Sequence, residues 1–328
     1  MLSMNAAARL WHPTAMTEAT MTKIPGLHHV TAISGPPQAN VDFYAGVLGQ
    51  RLVKKTVNFD APDTYHLYYG DPAGTPGTIL TFFPFVNAGP GRAGPGMASA
   101  VAYEVPKAAF DTWMERLALA AVDFDGPSSR FGQRMITLHD PDGMPVELIE
   151  TDTTGAVHKF HSVTLWERDP DRTARILTDV FGYEPKGSER DGGFERLRFQ
   201  VPGDAIGTIV DIIKRDKSEI GRQGAGTIHH VAFRARSDDE QRGWQDALAS
   251  VGHPTTPVID RQYFNAIYFR EPGGVLFEIA TDPPGFAVDE PQATMGQALM
   301  LPPQHEPLRG QLERILPHLR MPTVTVSA

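Results

Sequence analysis

The sequence predicts an α+β fold of four βαβββ modules in two paired halves, module 1 with module 4 and module 2 with module 3, each half an open curved mixed sheet. Three observations predict it. Strand-like stretches carrying two adjacent histidines stand near both ends of the chain, GLHHVTAI over 26–33 and TIHHVAF over 227–233. The chain between them repeats at a fixed spacing: residues 29 and 162, and the helix-ending glycines Gly49 and Gly182, stand 133 apart, while residues 100 and 230 stand 130 apart and Glu147 and Glu278 stand 131 apart. Such self-similarity marks copies of one supersecondary unit. Finally, histidines suited to hold a metal stand in modules 1 and 4 only, which requires the two ends of the chain to meet.

Module 1 opens with a strand over Leu27 to Ile33. A helix over Gln38 to Leu48 follows, with Val41, Tyr44 and Leu48 on one side as for a face packed on a sheet. Gly49 ends it in the left-handed cap position. Strands near Arg51 to Phe59, Tyr65 to Tyr69 and Thr78 to Phe83 complete the module. The run GDPAGTPG (70–77) opens no helix, so it reads as a hairpin loop rather than a phosphate cradle. Module 2 has a strand SAVAYEV (99–105), a helix face of Phe110, Trp113, Met114 and Leu117, and strands over Arg134 to Leu138 and PVELIE (145–150) flanking a DPDG turn. That turn is too short for a calcium-binding loop. Module 3 starts at KFHSVTLW (159–166), with a helix near Arg172 to Phe181. Module 4 spans Thr227 to Asp282, its helix starting with Ser237 and Glu240 in capping-box spacing and turning Trp244 and Leu248 inward. The boundaries are therefore an extension over 1–23, modules 1 and 2 over 24–152, modules 3 and 4 over 156–284, and a tail over 285–328. In the tail, Leu308, Leu312, Ile315 and Leu319 recur at helical spacing until Pro317 intervenes, which predicts a short docking helix.

With 328 residues, 41% hydrophobic and 21% charged, the chain has the composition of an ordinary globular protein. A formal net charge of −9 without a basic stripe argues against nucleic acid and against an anionic membrane surface as partners. The expected partner is a small molecule, and the sequence leaves a homo-oligomer open. No cysteine is present, so any metal must be held by imidazole and carboxylate. No run approaches the roughly 20 apolar residues of a membrane span. The first 23 residues lack the apolar core of a secretory signal, and the expectation is a disordered extension on a cytoplasmic protein.

On a strand, successive side chains face opposite ways. His230 shares its face with Ala232 and Arg234, whereas His229 shares its face with Val231 and Phe233, which read as core. His230 is the ligand candidate, and His29, beside Thr31, is its counterpart. At the same first-strand position modules 2 and 3 carry Ala100 and Ser162. At the last-strand position the four modules carry Thr81 or Phe82, Glu147, Asp211 and Glu278. Glu278 alternates correctly, with Phe277 and Ile279 on the core side. His29, His230 and Glu278 then form a two-histidine, one-carboxylate facial triad, a donor set that suits non-haem Fe(II). Between modules 2 and 3 the expectation is a dry, metal-free hollow, with Glu147 a structural or surface group.

The paired modules with strand-borne histidine and glutamate resemble the vicinal-oxygen-chelate superfamily, which includes glyoxalase I, fosfomycin and bleomycin resistance proteins and extradiol dioxygenases. Within it, GLHHVTAI, FGQR (131–134), GTIHHVAF and RQYFNAIYFREPGGVLFEIA (261–280) are similar to para-hydroquinone ring-cleaving dioxygenases over roughly residues 24–290. The resemblance implies Fe(II), with Mn(II) as the substitute metal, bound by His29, His230 and Glu278, with O2 as co-substrate. It further implies catalytic roles for His229, Arg261 and Tyr268 and substrate contacts for His28 and Thr31. Strict alternation turns His28 and His229 away from the metal; a local bulge would bring them to it. The implied activity is an extradiol-type ring-cleaving dioxygenase acting on a hydroquinone or related dihydroxyaromatic. One rival is a glyoxalase-like isomerase, which would use a further metal-site carboxylate where this chain has Thr81 or Phe82. Another is a metal-free binding or resistance protein, for which two histidines in register have no purpose.

Overall fold

The structure is a computed structural model that describes residues 23–203, 205–215 and 220–322. The expected extension lies outside the described residues except for Lys23, as do the last six residues of the tail. Module 1 contributes β1 (Leu27–Ser34), β2 (Arg51–Asn58), β3 (Ala61–Gly70) and β4 (Ile79–Pro84). Module 2 contributes β5 (Met97–Pro106), β6 (Phe124–Arg130), β7 (Gln133–His139) and β8 (Pro145–Thr151). Module 3 supplies β9 (Phe160–Glu167), β10 (Glu184–Asp191), β11 (Phe194–Gln200) and β12 (Ile209–Lys214). Module 4 supplies β13 (Thr227–Ala235), β14 (Ile259–Asp260), β15 (Phe264–Arg270) and β16 (Leu276–Pro284).

Two eight-stranded sheets result, ordered β14-β15-β16-β13-β1-β4-β3-β2 and β10-β11-β12-β9-β5-β8-β7-β6. Modules 1 and 4 thus share sheet I, and modules 2 and 3 share sheet II. Within each module the first strand runs parallel to the last, and the modules join through their first strands, antiparallel at β1–β13 and β5–β9. The sheets are therefore mixed, and the joint between two modules is the line along which their first strands meet. One hydrophobic core spans both sheets, with Val30 and Val231 of sheet I and Val101 and Val163 of sheet II fully buried in it.

The helices of modules 1 and 3 differ from a plain α-helix. α1 (Pro37–Val41) runs into a π-helical turn over Asp42–Val47, and the same change recurs where α3 (Pro170–Arg175) runs into Ile176–Val180. Backbone bonds from Leu48 to Phe43 and from Phe181 to Ile176 close the wide turn, and Gly49 and Gly182 end it at φ +68° and +76°. The helices of modules 2 and 4, α2 (Phe110–Leu119) and α4 (Asp238–Ser250), are regular, and Ser237 Oγ accepts the Glu240 backbone N–H as its cap.

After β16 the chain crosses the outer edge of module 1. Lys54 of β2, fully buried, meets Asp289 at 2.7 Å and Glu290 at 2.5 Å, and Tyr263 donates to Asp289. Gly296 lies so close to β2, at φ +81°, that a Cβ there would run into the Leu52 carbonyl oxygen. The short helix α5 (Arg309–Ile315) then places Leu312 in the core. Among the described residues no helix is long and apolar enough to cross a membrane.

Candidate metal centre

The β1–β13 joint is irregular at two places. Leu27 pairs with Phe233 and His29 with Ala232, so His28 is an extra residue in β1; Thr31 pairs with His230 and Ala32 with Ile228, so His229 is an extra residue in β13. Each bulge interrupts alternation and turns both members of a histidine pair toward one place. His28 Nδ1 lies 2.9 Å from His29 Nδ1, and His229 Nδ1 lies 2.8 Å from His230 Nδ1. The outer histidine of each pair thereby fixes the ring of the inner one and leaves the inner Nε2 aimed at the centre.

Two rows of side chains then cross sheet I. The first is His29, Ala232, Glu278 and Tyr268 on β1, β13, β16 and β15. The second is His230, Thr31, Thr81 and Tyr68 on β13, β1, β4 and β3. The small Ala232 leaves a space between His29 and Glu278, and His230 fills out the triangle from the next row. Nε2 of His230 stands 2.9 Å from Glu278 Oε2, Nε2 of His29 stands 3.5 Å from the same oxygen, and the two Nε2 atoms are 3.3 Å apart. Metal bonds of about 2.1 Å at right angles would space three donor atoms about 3 Å apart, and these separations match that spacing.

The residues fit a cation for a second reason. Glu278 is 0% exposed, and neither carboxylate oxygen accepts a hydrogen bond. A buried carboxylate without hydrogen bonds is costly unless a cation accompanies it. Burial alone would raise the Glu278 pKa, but the neighbouring His29 and His230 outweigh it and hold the group well below the usual carboxylate range. His230 itself is pulled down by burial, only partly offset by Glu278, so its imidazole is the neutral form that offers a lone pair.

The triad opens into a cleft of about 230 Å³. Thr31, His66, Tyr68, Phe83, His229, Arg261, Phe264 and Tyr268 are among its walls. Arg261 Nε donates to the Tyr268 hydroxyl at 3.2 Å, and its Nη1 meets Asp60 at 3.1 Å, so the guanidinium stands between the interior and the cleft mouth. Burial, and then the Glu278 carboxylate, raise the Tyr268 phenol, which is a neutral donor at pH 7. Burial, and then His230, bring the His229 imidazole down to about 4. His28 departs from the expected substrate contact. The bulge sets it behind His29 and against Phe264, 2% exposed and away from the cleft walls.

Sheet II repeats the frame with different chemistry. Its bulge residues are Ser99 and His161, and His161 Nδ1 lies 3.0 Å from Ser162 Oγ as His28 does from His29. At the equivalent place, where the sequence predicts a dry, metal-free hollow, two buried ion pairs stand. Arg130 grips both oxygens of Glu147 at 2.5 and 2.8 Å, and Arg198 grips both oxygens of Asp211 at 2.8 and 2.9 Å. Glu147 occupies the position of Glu278, and a guanidinium stands against it where sheet I has converging histidine nitrogens. Arg196 and Arg198 occupy the β11 positions that match His66 and Tyr68 of β3.

Among the cleft residues that the sequence does not single out is His66. Its signal is a polar residue at alternate spacing from Tyr68 in the run TYHLYY, within the strand expected near Tyr65 to Tyr69.

Residues 26–148 and 159–279 match the glyoxalase/bleomycin resistance protein/dioxygenase superfamily. The chain is 48% identical over 305 residues to "Putative ring-cleaving dioxygenase MhqO" of Bacillus subtilis (strain 168), covering 89% of this chain and 96% of that one. It is 35% identical over 314 residues to chlorohydroquinone/hydroquinone 1,2-dioxygenase of Sphingobium indicum, covering 90% of this chain and 96% of the relative. A crystal structure of a "putative dioxygenase from Bacillus subtilis subsp. subtilis str. 168" superposes with a TM-score of 0.85 at 47% identity, over 92% of this chain and 99% of that one. Glyoxalase I from Zea mays shares the fold alone, with a TM-score of 0.60 at 15% identity over 78% of this chain and 92% of that one.

Proposed function

The chain belongs to the glyoxalase/bleomycin resistance protein/dioxygenase superfamily, and from that membership we propose that it is an Fe(II)-dependent, extradiol-type dioxygenase that opens the ring of a hydroquinone. The observation that carries this reading is the triangle of His29, His230 and Glu278 donor atoms, buried, spaced for one ion and facing a ring-sized cleft. Fe(II), or Mn(II) in its place, would order the phenol and O2 and make the phenol hydroxyl more acidic. The named activity of the Sphingobium indicum relative supports a hydroquinone over a catechol. A para-hydroquinone offers the ion one oxygen only, so hydrogen bonds from the protein must orient the ring.

The chain's own residues suit that task. Phe264, Phe83 and His66 form aromatic walls for a flat ring. Arg261 is a fixed cation beside the triad that stabilises negative charge on the reacting oxygens. Tyr268 and His229, one a neutral phenol and the other a neutral imidazole, donate and accept protons at the cleft. Thr81 stands where a glyoxalase-type isomerase would need a carboxylate, which favours the dioxygenase reading.

The test is anaerobic iron loading followed by oxygen-electrode screening with hydroquinones and catechols. Stoichiometric oxygen consumption with loss of the aromatic ultraviolet band is the expected result with a hydroquinone. Tight iron binding with no oxygen uptake on any dihydroxyaromatic would refute the proposal.

A further inference from the structure

Three side chains of the cleft wall and the buried Thr81 behind them form one hydrogen-bonded chain. Thr31 Oγ1 lies 2.9 Å from Thr81 Oγ1, Thr81 Oγ1 lies 2.8 Å from His66 Nε2, and His66 Nδ1 lies 2.8 Å from the Tyr68 hydroxyl. Thr31 and Tyr68, the two ends, both line the cleft, and Thr31 stands directly across the β1–β13 joint from His230. Thr31 and Thr81 are 0% exposed and Tyr68 is 1% exposed. Every link joins groups that can both give and take a proton once the imidazole is neutral.

We propose that Thr31, Thr81, His66 and Tyr68 form a proton relay that carries a proton between two points of the cleft without bulk water, with His66 as its central catalytic residue. This rests on reading the cleft as the dioxygenase site. The chain has two arrangements. In one, Tyr68 O–H donates to His66 Nδ1, His66 Nε2–H to Thr81, and Thr81 O–H to Thr31, so that the Thr31 hydroxyl has a proton to give. When Thr31 releases that proton, each remaining proton moves one place along, and Tyr68 takes one up. The result is the reverse arrangement, Thr31 to Thr81 to His66 Nε2 and His66 Nδ1–H to Tyr68, with the Tyr68 proton now the one to give. One proton leaves and one enters, and no member changes charge.

The environment keeps the members neutral. Burial, followed by His29, His230 and Arg261, lowers the His66 imidazole well below its ordinary value, and burial raises the Tyr68 phenol. Charged Arg196 and Arg198 stand at the two matching positions of sheet II, where Asp211 replaces Thr81 and an ion pair replaces the uncharged chain.

Thr81→Val tests the relay, because it keeps shape and removes only the hydroxyl that links His66 to Thr31. In the metal-free protein labelled with 15N-histidine, His66 should show a neutral ring with one slowly exchanging ring N–H, and Thr81→Val should speed that exchange. In the iron-loaded enzyme, Thr81→Val and His66→Phe should lower kcat at least tenfold, consistent with the roughly 10²–10⁴ of proton-transfer catalysis. Iron content and KM should stay within about twofold. Thr81→Ser should restore kcat, and the solvent deuterium isotope effect on kcat should change in Thr81→Val. Wild-type kcat and isotope effect in Thr81→Val would overturn the relay while leaving the dioxygenase reading intact. A wild-type enzyme that consumes no oxygen on any panel member would overturn both.

Discussion

Glu147 and Glu278 occupy equivalent positions in the two sheets, and the structure predicts opposite consequences of removing them. Glu278 is buried with no hydrogen bond to its oxygens, whereas Glu147 is buried against the guanidinium of Arg130. Glu147→Ala removes one partner of a buried ion pair, a loss of about 3–5 kcal/mol. At roughly 2–4 °C per kcal/mol for a chain this large, the melting temperature should fall by about 6–20 °C, and metal content should be unchanged. Glu278→Ala removes a carboxylate that faces imidazole nitrogens and no guanidinium, so the metal-free melting temperature should fall less than in Glu147→Ala. What it should lose is the stabilisation by metal. At 1,000 times Kd that stabilisation is about 4 kcal/mol, or a rise of about 8–16 °C in wild type that disappears in the variant. Calorimetry with and without Fe(II) or Mn(II), paired with metal analysis, reads all four quantities. Equal metal loss in the two variants, or a large metal-free destabilisation by Glu278→Ala alone, would refute the argument that sheet II carries its own cation and sheet I takes one up.

Arg261→Ala and Tyr268→Phe should retain metal and lose kcat, since their hydrogen bonds act on charge that develops during reaction; steady-state kinetics beside metal analysis decides it. Burial, and then Arg198, bring the folded-state pKa of His161 down to about 3. The unfolded chain therefore binds the extra proton between about pH 6.5 and pH 3, so this residue makes stability fall with acid at up to about 1.4 kcal/mol per pH unit. His161→Gln should flatten that part of a urea-stability profile, and an unchanged slope would contradict it. Gly296→Ala places a methyl group against the Leu52 carbonyl at a left-handed φ, and should destabilise the tail's docking by about 1–3 kcal/mol, read as faster amide exchange over β2.

Much of this arrangement is legible in the residues alone. The offsets between His29 and Ser162 and between Ala100 and His230 identify four modules, and the ligand logic pairs the first with the fourth. The bulges at His28 and His229 answer a conflict that alternation itself exposes, although alternation cannot say which residue is extra. Other parts were hidden for identifiable reasons. β6 reads FDGPSSR, polar and interrupted by proline, because it is the exposed edge of sheet II, where apolar patterning is not needed. The arginines of sheet II were unread because a buried guanidinium leaves no trace in local sequence until its carboxylate partner, 13 or 17 residues away, is known to face it. His66 was overlooked because its meaning depends on β4 lying between β3 and β1, a neighbour relation that no local pattern encodes.

The antiparallel joint of β1 and β13 brings together histidines 201 residues apart in the chain. During synthesis, then, the half of the molecule built from consecutive modules is complete before β13 exists, and it is the half whose carboxylates already have their cations. The candidate metal centre comes last. A nascent chain halted anywhere before residue 278 holds at most two of the three donors, so the triangle of His29, His230 and Glu278 closes only once the last strand of module 4 has been made.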